Sequence, residues 1–299
     1  MTQQITTTNK KPILEITIGA SLLSFSAVFV RLTHTGPLTD AFYRMFFGGI
    51  FLLIIVLFRR DSMKLNFDAL KFIFLAGLFF GVDLMFWHSS INKIGPGLAT
   101  VLVNLQVFIL TLFSVLFYKE NFAPRYLIAL PLAMLGLYLL IGYEWGRLNV
   151  VYKSGIYECL IATIWYSLYI LALRKTQQVK NPLPIYPNLC YVCFASAAVL
   201  AIAMGLTHVS FKIDTVSDFS MLVAYGLFAQ VFGWLLISKG LPKVTVAVAG
   251  FLLLLQPSFS MLWDIIFFHR PTPPIQITGA LLTLLAIYLV TTSKTKPLK

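Results

Sequence analysis

Residues 97–140, GLATVLVNLQVFILTLFSVLFYKENFAPRYLIALPLAMLGLYLL, align without a gap against residues 247–290, AVAGFLLLLQPSFSMLWDIIFFHRPTPPIQITGALLTLLAIYLV, and the match decides the fold. The identities are spread along both segments: Ala99 with Ala249, Leu105 with Leu255, Gln106 with Gln256, Phe117 with Phe267, Pro124 with Pro274 and Tyr138 with Tyr288. Leucine-rich stretches match one another by composition. Gln, Pro and Tyr pairs at one constant spacing are not produced that way and mark an internal duplication.

Outward from this pair, the rest of the chain has the same character. Of 299 residues, 59% are hydrophobic and 11% charged, about half the charged share of an ordinary soluble domain. Apolar runs long enough to span hydrocarbon as helix, roughly 17 to 25 residues, recur at Pro12–Val30, Leu38–Phe58, Leu70–His88, Leu98–Tyr118, Tyr126–Ile141, Gly155–Leu173, Ile185–Ala203, Phe219–Ile237, Thr245–Phe268 and Ile275–Thr291. The longest gaps, around Gly142–Ser154 and Gly205–Asp218, are too short for a separate soluble domain. The predicted architecture is an all-α polytopic membrane protein of about ten helices. Residues 12–142 and 155–292 form its two five-helix repeats, with tails at 1–11 and 293–299. Five is odd, so the second copy enters the membrane from the opposite side and the repeats are inverted, an architecture that recurs in secondary transporters.

The net charge of +12 comes from basic residues scattered between spans, with no continuous stripe of the kind nucleic acid requires. Lys10, Lys11, Arg59, Arg60, Lys64, Lys119, Arg174, Lys175, Lys239 and Lys299 fall on one side of the ten-span arrangement, with others. Arg31, Lys93, Arg147, Lys153, Lys212 and Arg270 fall on the opposite side, so the positive-inside rule predicts cytoplasmic termini in an inner or plasma membrane. The first apolar run is too long for a signal-peptide core and is expected to be retained. Cys159, Cys190 and Cys193 all fall inside spans, where cysteine acts as a small apolar side chain. Neither a metal nor any other cofactor is expected.

The chain resembles the drug/metabolite transporter superfamily, in its EamA-type branch, over essentially its whole length. The resemblance rests on Arg44 inside the second span, on GPGLATVLVNLQVFILTLFSVLFYKE ending at Glu120, and on KVTVAVAGFLLLLQPSFSMLWDIIFFHR with its Gln256–Pro257 pair. Two departures stand out. His269 and Arg270 occupy the place of the second repeat's acidic residue, and Val107 that of the first repeat's proline. The resemblance implies export of amino acids, amines, purines or drug-like compounds, or import of a metabolite.

Ionisable groups inside spans cost about 2.5 to 3.5 kcal/mol at a helix centre and need a partner or a cavity. Arg44 has Asp40 four residues earlier on the same helical face, so the two are expected either to form a buried bridge or to serve gating and a substrate carboxylate. Asp83, with Trp87 one turn later and His88 beside it, reads as a cation site or as a packing residue. Glu158, Ala162, Trp165 and Tyr169 present an acid and two aromatics along one side of the sixth span, as a cavity wall or as packing. Gln230 and Trp234 share a face in the eighth span, and Gln256 precedes a kink expected at Pro257. Asp264 is expected to be hydrated at the outer end of its span, and Gly77 with Gly81 to allow close helix packing.

The expected substrate-binding set is therefore Asp83, Trp87, Glu158, Trp165, Tyr169, Gln230, Trp234 and Gln256, with Arg44, Asp40 and His88 in gating or coupling. A polytopic membrane enzyme is the rival class, but H-E-x-x-H, Gly-rich phosphate loops and paired metal ligands are missing from the sequence. The inverted repeats point to a secondary transporter of small metabolites, and the resemblance implies an exporter first and an importer of a cationic metabolite second. Its expected partners are a small-molecule substrate, membrane lipid and a second copy of the chain.

Overall fold

The structure, a computed structural model, describes residues 10–65, 67–118, 124–142, 145–240, 243 and 252–291. Among the described residues every regular element is helical. Eight helices are long and apolar enough to cross a membrane. They are α1 (Lys11–Leu32), α2 (Pro37–Arg59), α3 (Phe67–Ile94), α4 (Pro96–Phe113), α5 (Arg125–Arg147), α6 (Val150–Thr176), α7 (Ile185–Thr207) and α8 (Val216–Ile237). Two shorter apolar helices, α9 (Leu255–Phe268) and α10 (Pro274–Thr291), complete the bundle among the described residues. The start of the predicted ninth span, at Thr245, lies outside the described residues, as does Glu120.

Helix boundaries follow local chemistry. Gly36 (φ 98°) and Gly95 (φ 88°) each take a backbone turn that a side chain would strain. Each is followed by a proline at the first helical position, Pro37 or Pro96, where the missing N–H costs nothing. At the other ends of α2, α7 and α9, Arg60, His208 and His269 adopt the left-handed conformation, and the N–H of Arg60, of His208 and of Arg270, which follows His269, donates back into the last turn.

The packing obeys the inverted duplication. Helices α2 and α7, α4 and α9, and α5 and α10 are repeat mates, and each packs on its own mate. Three further pairs of contacts are symmetry-related: α3 on α6 with α8 on α1, α3 on α7 with α8 on α2, and α4 on α6 with α9 on α1. Small residues set the distances, because in lipid close packing rather than hydrophobic exclusion holds helices together. Gly77 and Gly81 lie against Ala195 and Val199 of α7, and Gly136 of α5 lies against Gly279 of α10.

Two breaks also correspond. Helix α4 is interrupted at Asn104 and Leu105, and a matching break falls just before α9 at Leu254, the repeat equivalent of Asn104. In α9 the cause is Pro257, which has no N–H to offer the preceding turn and crowds it. In α4, which carries Val107 instead, the Asn104 side-chain amide donates to the Thr100 carbonyl (2.8 Å), and the turn tightens through Leu105 N–H to Leu102 O (3.0 Å). Helix α3 runs on to Ile94, past the expected end at His88, and so carries His88 into the bundle interior.

Candidate functional site

Arg44 enters the bundle centre from α2 and is 4% exposed. The expected bridge to Asp40 is not formed. Asp40 accepts a hydrogen bond from the Thr35 hydroxyl, and its other oxygen is buried without a partner among the described residues. The guanidinium turns the other way: Nε donates to Gln230 Oε1 (3.1 Å) and Nη1 to the Tyr225 hydroxyl (2.9 Å). It also lies over the rings of Tyr225, Phe80 and Trp87 at 5.0, 5.6 and 5.9 Å, which replace part of its hydration. Among the described residues it has no carboxylate partner.

The backbone of α8 explains how one helix supplies both polar partners. Tyr225–Gly233 is a π-helical segment, which closes i to i+5 instead of i to i+4. Five-residue neighbours therefore share a face, and Tyr225 and Gln230 are such a pair. Gly48, one turn beyond Arg44 on α2, leaves the room: a Cβ there would stand 2.6 Å from Gln230 Cγ. Behind them His88, fully buried, meets the Pro37 carbonyl at Nδ1 (3.2 Å) and the Tyr225 hydroxyl at Nε2 (3.1 Å). A carbonyl only accepts, so Nδ1 carries the proton, Nε2 accepts from Tyr225 O–H, and the Tyr225 oxygen is left to accept from Arg44.

Arg44 faces a chamber near the middle of the bundle that also exposes Asp83 and Trp87 of α3, Ser26 of α1, Asn104 of α4, Tyr166 of α6, Trp234 of α8 and Gln256 of α9. Its volume, about 50 Å³ for the centres of water-sized occupants, holds a few waters at roughly 10–15 Å³ each. Among the described residues, four polar atoms of its lining are buried with no hydrogen-bond partner: Asp83 Oδ1, Trp87 Nε1, Trp234 Nε1 and Ser26 Oγ. Buried polar groups are normally satisfied, so four orphans around one chamber describe the complement of a polar guest.

Five expected site residues, Arg44, Asp83, Trp87, Trp234 and Gln256, thus meet in one place. Others do not. Glu158 forms an ion pair with Lys93, near the end of α3, and is not part of the chamber lining. Trp165 packs against Phe79 (5.7 Å), and Tyr169 stacks on Phe80 at 4.2 Å, 1% exposed, behind the wall. Gln230 and His88 act from behind, one holding Arg44 and the other Tyr225. Asp264, expected to be hydrated, is 2% exposed and paired with Arg270. Tyr166 and Ser26 line the chamber and Tyr225 holds Arg44, and none of the three was singled out by sequence. Among the described residues no group of His, Cys, Asp or Glu could hold a metal ion.

Ten apolar helices in two inverted copies, crossing around a chamber that carries polar side chains, define a membrane carrier of the inverted-repeat class. The chain belongs to the EamA-like transporter family, whose model matches residues 10–142 and 153–292. It is therefore a multi-pass membrane transporter. A similar protein from Archaeoglobus fulgidus, described as an uncharacterized transporter, is 24% identical over 93% of this chain and 97% of its own length. A solved structure, titled only as the crystal structure of a protein, shares the fold at a TM-score of 0.66 and 18% identity, covering 94% of this chain and 98% of its own.

Proposed function

We propose that this transporter moves small zwitterionic metabolites, amino acids foremost, out of the cell by alternating access of its two repeats, with both termini cytoplasmic. One observation carries the reading: Arg44, without a carboxylate, and Asp83, with an unpartnered oxygen, face the same chamber. A ligand carboxylate completes Arg44 through charge-assisted bonds, and the free Trp87 and Trp234 N–H groups add donors on that side. A ligand ammonium completes Asp83. A purely cationic substrate, the alternative favoured by Asp83 and the aromatics alone, would bring its charge into a chamber already lined by Arg44.

Exchange supplies the driving force. When the ammonium leaves Asp83, a proton can take its place, so substrate moving out is traded for protons moving in, a use of intramembrane carboxylates common in carriers. The test is uptake into proteoliposomes across a panel of amino acids, amines and nucleobases, with and without an imposed pH gradient. Amino acids should accumulate when the gradient opposes their exit. Accumulation of amines or nucleobases alone would overturn the assignment.

A further inference from the structure

A second polar constellation lies between the chamber and the face opposite the termini, where α4 begins and α9 ends. Asp264 Oδ2 accepts the Gly97 N–H (3.1 Å) and Arg270 Nη1–H (3.0 Å), while Arg270 Nη2 donates to the Tyr152 hydroxyl of α6 (2.9 Å). The backbone around Gly97 lies directly on this carboxylate: a Cβ added at Gly97 would stand 3.1 Å from Asp264 Oδ2. One turn deeper the Ser260 and Thr100 hydroxyls meet at 2.9 Å, just before the chamber-lining Asn104 and Gln256. Two polar layers thus stand between the chamber and this face.

The repeat makes this closure unusual, because the fold is duplicated and the layers are not. In the repeat register Ser114 and Glu120 stand where Asp264 and Arg270 do, Leu110 where Ser260 does, and Gly250 where Thr100 does. The ion pair and the hydroxyl pair therefore cannot be rebuilt by symmetry on the face of the termini. A bond to a charged group that exists in only one of two exchanging states shifts their populations by its whole strength.

We propose that Asp264, Arg270 and the Gly97 amide form the gate on the face opposite the termini, and that this gate, ion-paired on that face alone, holds the empty carrier closed there so that it loads from the face of the termini. The proposal deepens the exporter reading and rests on it for the meaning of loading, but its test needs no substrate. Cys159, Cys190 and Cys193 are replaced by alanine, S26C is introduced as a chamber reporter, and intact cells are treated with a membrane-impermeant maleimide. Labelling should be slow in this background and rise at least about tenfold in both D264N and R270Q, the change expected from losing a bond to a charged group. An unchanged rate in either variant overturns the gate. Should a variant fail to fold, T100C/S260C in the otherwise intact cysteine-free protein decides: it should cross-link nearly completely under mild oxidation without substrate, and a low yield overturns closure at rest. A chain that moved no amino acid would contradict the functional reading and leave both results on the gate standing.

Discussion

Arg44 and Asp83 place a base and an acid on one small chamber, and among the described residues neither forms an ion pair there, although a charged group costs about 2.5–3.5 kcal/mol at the centre of a span. On the proposed reading a zwitterionic guest offsets both costs. In folded protein, D83N and R44Q should each reduce amino-acid transport by roughly 10- to 100-fold, the range set by bonds to charged groups at about 1.5–3 kcal/mol. Transport rates with protein monodispersity as the control decide this, and near-wild-type rates for D83N would return Asp83 to a packing role. Y225F removes the oxygen that accepts from Arg44 and the proton that satisfies His88. It should raise KM by about tenfold with little change in maximal rate, because Arg44 loses its aim and keeps its charge. Asp83, Trp87, Trp234 and Gln256 were legible in the sequence because acids, indoles and amides in apolar runs need a polar neighbour. Glu158 was misplaced because its partner, Lys93, comes from a distant part of the chain.

At the scale of elements, helical periodicity locates faces only as well as the helix is regular and its rotation known. Trp165 and Tyr169 were expected at the chamber, where Tyr166 stands, a rotation of about 100° per residue. In α8 the π segment overrides the 3.6-residue period, and Tyr225 was missed for that reason. The tight places are testable. G48A should push Gln230 away from Arg44 and weaken transport several-fold while leaving thermal unfolding nearly unchanged, since the Gln230 side chain has to move. G136L should instead lower the unfolding temperature, because a side chain there meets the Gly279 carbonyl at 2.8 Å, an overpacking cost of about 1–3 kcal/mol.

For the whole molecule, the duplication in residues 97–140 and 247–290 was enough to anticipate inverted halves, and the mate-on-mate packing of α2 with α7, α4 with α9 and α5 with α10 follows from it. The Arg44–Asp40 bridge was not foreseeable as absent, because it depends on a partner offered by α8 across the bundle. Sidedness makes a separate prediction: a reporter fused after Lys299 should be active only in the cytoplasm, and activity outside would reverse the proposed direction of transport. The two-charge chamber is the central claim, and competition in proteoliposome counterflow tests it most directly. Against wild-type exchange of a labelled amino acid, the unlabelled amino acid should compete, whereas its decarboxylated amine and its deaminated acid should each compete at least about tenfold more weakly, since each leaves one buried charge unpaired. Equal competition by the amine or by the acid alone would contradict the account.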